Sequence, residues 1–131
     1  MQNFIEQFFN IKIMIAAWPT LLQGTGVTLL LCAAVIPMGL IGGLLAALAS
    51  NSKSRLIQWP TIAFVDFFRS IPPLVLLIFV YSGLPFAGLR LSPFTAVVIA
   101  FFLNNSAYYG EILRAGSVSY THLRAHETWS Y

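Results

Sequence analysis

Asp66 with Arg69, and Glu111 with Arg114, are oppositely charged pairs inside or at the edge of apolar stretches long enough to cross a membrane. Both are spaced i, i+3, so on a helix each pair shares one face. Ionisable groups in hydrocarbon are costly and face a bundle interior, a partner or a polar path. Two chemistries follow. Each pair can neutralise itself and anchor a helix end, or its charges can meet a polar solute. Ser70, beside Pro72-Pro73, and Asn104, Asn105, Ser106 and Tyr108 add donors and acceptors at similar depth. Carbonyls freed by the two prolines could line a cavity there. The bland role for each of these residues is an interhelical hydrogen bond worth about 1 kcal/mol.

Covalent chemistry is not implied. No nucleophile, base and acid come together, both histidines lie near the C-terminus, and Cys32 sits in an apolar run. Gly24-Thr25-Gly26 lacks the Lys-Ser/Thr of a phosphate loop, so ATP binding is not expected of this chain. The reading is therefore not an enzyme, with no cofactor; energy for any transport must come from a partner. His122 and His126 are i, i+4, but two histidines without a third ligand do not make a metal site, and none is expected.

The elements that must position these residues follow from composition. The chain has 131 residues, 58% hydrophobic and 8% charged. A soluble domain carries about 25% charged residues, so an all-α, polytopic membrane protein is expected. The net charge of +3 forms no basic stripe, which excludes nucleic acid as a partner. Residues 1–17 alternate Phe and Ile with polar residues, and Phe4, Ile5, Phe8, Phe9 and Ile13 predict an interfacial helix ending at Trp18-Pro19. Residues 18–116 form the membrane domain, with three transmembrane helices expected over about 21–49, 58–81 and 93–113. Gly39 and Gly43, with Gly42 beside them, predict close helix packing. Pro72 and Pro73 predict a kink or break in the second span.

Lys53, Arg55 and Arg114 fall on one side of the membrane, Lys12 and Arg90 on the other. The positive-inside rule then places the N-terminus outside. Asp66 and Arg69 lie roughly 6–10 Å inside the cytoplasmic edge at ~1.5 Å per residue, and Glu111 and Arg114 lie at that edge. Residues 117–131 have no apolar run and no helical period, and read as a non-native or disordered tail.

Four strings carry a resemblance. They are Leu22-Gln23-Gly24-Thr25-Gly26-Val27-Thr28-Leu29, Phe67-Phe68-Arg69-Ser70-Ile71-Pro72-Pro73-Leu74, Tyr81-Ser82-Gly83-Leu84-Pro85 and Ala107-Tyr108-Tyr109-Gly110-Glu111-Ile112-Leu113-Arg114-Ala115-Gly116. Over residues 15–116 the chain resembles the permease subunits of bacterial polar amino-acid ATP-binding-cassette (ABC) importers. The resemblance implies the N-terminal part of a five-span type I importer fold in the bacterial inner membrane. It implies three kinds of partner: a second permease subunit, cytoplasmic ATPases and an extracytoplasmic solute-binding protein. After Gly116 the family continues into a coupling loop with a Glu-Ala-Ala…Gly motif and two more spans. Here Ser117 to Thr128 stand instead and resemble translated sequencing adapter. The expectation is thus a permease fragment, inactive by itself. The alternative is a small three-span membrane interaction or assembly protein without transport activity.

Overall fold

The computed structural model describes residues 10–127 and is built of helices. Helix α1 spans Ile11–Ser50, α2 Arg55–Ser70, α3 Pro73–Ile78 and α4 Pro93–Glu127. A π-helical turn, Phe79–Gly83, and a 3-10 turn, Leu84–Ala87, follow α3. Contacts divide the chain into two units at Cys32/Ala33. The first contains the leading part of α1, and the second everything from Ala33 onward. Among the described residues two helices are long and apolar enough to cross a membrane, or three segments if α2 and the bent piece after it count as one.

In the first unit the helix passes through Trp18-Pro19 without ending, so the interfacial segment expected to stop there is continuous with α1 from Ile11. Its remaining residues, 1–9, lie outside the described ones. A proline deletes one backbone donor, and the apolar run on both sides carries the helix across that gap. Thr25 and Thr28 donate their hydroxyls to the carbonyls of Leu21 (2.8 Å) and Gly24 (2.9 Å). Both thus satisfy themselves within the helix. With 40 residues, α1 has about twice the length needed to cross a bilayer.

In the second unit α1 ends at Ser50, and a four-residue link, Asn51 to Ser54, leads into α2. Gln58 Nε2 donates to the Ser50 carbonyl at 3.1 Å, tying the start of α2 to the end of α1. The inner stripe of α2 is Gln58, Thr61, Phe64, Val65 and Phe68, a helical period. The second expected span is not one rod. Ile71 is extended (φ −95°, ψ 123°) and Pro72 follows at φ −56°, ψ 138°. A residue before proline is pushed out of the helical region, and neither Pro72 nor Pro73 has an N–H to give. The chain bends by 99° there. Beyond the bend, Leu76 and Val80 pack on Ala96 and Ala100 of α4, with Phe68, Ile71 and Leu103 around them. The two alanines let the bent piece approach closely.

Gly88 ends the 3-10 turn at φ +84°, a left-handed conformation that favours glycine. The Leu89 N–H bonds the Leu84 carbonyl (3.1 Å) and the Gly88 N–H the Pro85 carbonyl (3.0 Å), a Schellman pair. Ser92 then caps α4: its Oγ accepts from the Thr95 N–H at 3.1 Å and shares a 2.8 Å bond with the Thr95 hydroxyl. Pro93 occupies the first helical position, where the missing N–H costs nothing. Ser92→Ala is expected to cost about 1 kcal/mol, read as a lower unfolding midpoint in detergent. The α4 helix runs on to Glu127, past the expected end at 113 and through residues 117–127, where no helical period was read. No proline and no glycine follow Gly116 to stop it.

Candidate functional site

The break in α2 creates the polar site. In an α-helix the Phe68 carbonyl would accept from residue 72 and the Arg69 carbonyl from residue 73. Both are prolines, so both acceptors are orphaned. Helix α4 supplies the replacements. Asn104 Nδ2 donates to the Phe68 carbonyl (3.1 Å) and, more weakly, to that of Ile71 (3.4 Å). Tyr108 Oη donates to the Arg69 carbonyl at 3.2 Å. The spacing i, i+4 puts Asn104 and Tyr108 on one face of α4. Ser70 closes the last turn by donating its hydroxyl to the Asp66 carbonyl at 2.7 Å. Asn104 is almost wholly buried, at 3% exposure. An amide so placed is tolerated because its donor is used.

The charged side chains rearrange relative to the expected pairs. Glu111 and Arg114 do form a bidentate pair, at 2.6 and 3.0 Å. Arg69 instead reaches across from α2 to Glu111, at 3.9 Å, and lies over the Tyr108 ring, 5.8 Å from its centre. Glu111 therefore faces two guanidinium groups. Among the described residues Asp66 makes no ion pair. The expected self-neutralising Asp66–Arg69 pair is replaced by an interhelical contact. Arg69, in the last turn of α2, lies level with Tyr108 and Glu111, which are adjacent on one face of α4.

Asp66, Arg69, Ser70 and Tyr108 line an open pocket of about 340 Å³. Two of the five residues read as a solute path, Ser70 and Tyr108, are thus in its wall. Asn104 lies beneath it as a cap on the broken helix. Asn105 and Ser106 point elsewhere, into the contact with α1. A Cβ on Gly39 would lie 2.8 Å from the Asn105 Cβ, and one on Gly42 would collide with the Ser106 hydroxyl. Gly43 meets α4 most closely, where its Cβ would be 2.5 Å from the Tyr109 Cβ and 2.9 Å from the Gly110 nitrogen. Gly110 completes that crossing, with Ala46 2.9 Å from the position of its own Cβ. It was not among the packing residues read from the sequence. The signal was present, since Ser106 and Gly110 are themselves a small-xxx-small pair. The side chains of His122 and His126 lie outside the described residues.

No family model matches the chain. It is similar to the probable amino-acid ABC transporter permease protein YckA of Bacillus subtilis, 39% identical over 110 residues, which are 84% of this chain and 49% of that one. It is 34% identical to the glutamine transport system permease protein GlnP of Escherichia coli over 79% of this chain and 50% of the relative. Among solved structures it superposes on an amino acid ABC transporter crystallised with histidines, with a TM-score of 0.75 and 35% identity. That match covers 79% of this chain and 48% of the other. The chain spans about half the length of the curated relatives it matches. Those relatives are named as permease proteins. Across about 80% of its length, therefore, the homologues of this chain are amino-acid ABC transporter permeases.

Proposed function

We propose that this chain is the N-terminal part of a permease subunit that forms the membrane path of an ATP-driven importer of polar amino acids. The observation that carries the reading is the match to such permeases at 34–39% identity over most of the chain. The broken second segment supports it, because it puts a polar pocket among otherwise apolar helices. The permease would sit in the bacterial inner membrane with its N-terminus outside, following the basic residues Lys53, Arg55 and Arg114. Its partners would be a second permease subunit, two cytoplasmic ATPases that hydrolyse the ATP, and an external solute-binding protein. Residues 117–131 would not be native permease sequence, and the 131 residues alone would be inactive.

Reading the gene past codon 116 from independent DNA tests this. The expected result is a Glu-Ala-Ala…Gly loop followed by two apolar spans. A stop after Tyr131 would favour a small three-span assembly protein instead. In the continued gene, Glu111→Ala is expected to lower ATP-driven uptake about fivefold. That is the effect of losing about 1 kcal/mol from a partly exposed ion cluster. Uptake at the unaltered rate, with normal amounts of protein in the membrane, would show that the Glu111 ion cluster takes no part in ATP-driven uptake.

A further inference from the structure

Two apolar helices run out at one level. Helix α1 ends at Ser50, and the apolar part of α4 gives way to Glu111, Arg114 and Ser117. Asn51 Nδ2 donates to the Ser117 hydroxyl at 3.3 Å, which ties the two ends together. The edge of the hydrocarbon therefore falls at the link into α2, and Lys53 and Arg55 stand in the headgroup layer. Both are exposed. Among the described residues Arg69 and Arg114 are held by Glu111, whereas Lys53 and Arg55 make no ion pair. No Asp or Glu occurs from Asn51 to Val65, so no carboxylate on the link or the first turns of α2 neutralises them. Directly after these cations α2 turns two large apolar side chains outward. Leu56 is 88% exposed and Trp59 71%. The spacing i, i+4 puts Arg55 and Trp59 on one face.

From this we propose that the start of α2 is a docking surface for an anionic phospholipid. The phosphate meets Lys53 and Arg55, and the glycerol and upper acyl chains meet Leu56 and Trp59. The order along the helix carries the assignment. Charge comes first and apolar area follows within one turn, about 5 Å, which is the order a phospholipid presents from water to bilayer. Basic residues beside a membrane attract anionic headgroups, and an apolar face next to them adds buried area. A zwitterionic headgroup brings its own ammonium to the two cations and is repelled by them. An anionic headgroup brings only the phosphate, whose oxygens form charge-assisted bonds with Lys and Arg. The surface does not rest on the permease reading, because a small three-span assembly protein would carry it equally.

Tryptophan quenching in vesicles tests this on the 131-residue chain. Trp18→Phe and Trp129→Phe leave Trp59 as its one tryptophan. The vesicles mix phosphatidylglycerol with phosphatidylcholine, one or the other brominated on its acyl chains. Phosphatidylglycerol is expected to be preferred beside Trp59 by about 25-fold, two cations contributing about fivefold each. Lys53→Gln or Arg55→Gln should cut the preference to about fivefold, and the double substitution should abolish it. Arg90→Gln removes the same charge from an exposed position beyond Gly88 and should alter the preference by less than about twofold. A parent preference below about threefold, or an equal loss from Arg90→Gln, overturns the proposal. So does a preference abolished by millimolar inorganic phosphate at constant ionic strength, which would make the site one for a free anion. Quenching by neither brominated lipid would show Trp59 covered by protein, such as a second copy of this chain, and also overturns it.

Discussion

Gly43→Ala is expected to lower the stability of the helix assembly by about 2–3 kcal/mol, near the upper end for an overpacked contact. The added Cβ would lie 2.5 Å from the Tyr109 Cβ, 2.9 Å from the Gly110 nitrogen and 3.0 Å from the Tyr109 carbonyl carbon. Two of these are backbone atoms of α4, so no rotamer change relieves them. The helices must move apart, and the contacts of Gly39 and Gly42 with Asn105 and Ser106 loosen with them. Gly26→Ala is the matching control. A Cβ there meets nothing within 4 Å, and alanine is a better helix former than glycine by about 1 kcal/mol. The two substitutions are chemically identical and should act with opposite sign. Unfolding free energies from denaturant titration in mixed micelles would compare them. A Gly43→Ala protein as stable as the parent would mean that the crossing point is not at Gly43 and Gly110.

Asn104→Leu should cost about 1–3 kcal/mol, the range for a buried acceptor left without its donor. Leucine nearly matches asparagine in shape but has no N–H for the Phe68 and Ile71 carbonyls. Proline at residue 72 has already removed the alternative. Tyr108→Phe removes the donor to the Arg69 carbonyl but keeps the ring beneath the guanidinium, so a loss of about 0.6 kcal/mol is expected. Tyr108 is also about two-fifths exposed, and water can replace its hydroxyl. Hydrogen exchange over α2 would read both. Faster exchange in Asn104→Leu confined to the last turns of α2 is the expected pattern. Uniform exchange across α2 and α4 would show instead that Asn104 supports the whole pair.

What could be read from the sequence depended on how local the cause was. The break at Pro72-Pro73 was legible because the missing donors and the restricted residue before them are local. The apolar segments were legible from composition, and the glycine face of α1 from the spacing of Gly39 and Gly43. Other features needed partners far along the chain. No local period says that the Phe68 carbonyl will be met by a side chain 36 residues later. Nor does the i, i+3 spacing decide whether Arg69 turns to Asp66 or to Glu111, since both lie within reach of a long side chain. The passage of α1 through Trp18-Pro19 is not legible locally either. One lost hydrogen bond does not end a helix whose neighbours all favour it.

The capping of α2 by α4 also bears on the order in which the segments can enter a membrane. Until Asn104 arrives, the carbonyl of Phe68 has no protein donor, and it would cost several kcal/mol in hydrocarbon. The second segment is therefore a poor passenger by itself. It should wait in a wet environment, at the mouth of the insertion machinery or at the lipid surface, until α4 has been synthesised. The two would then leave together as a pair already bonded. The two prolines that open a pocket in the finished protein would thereby tie the membrane insertion of α2 to that of α4.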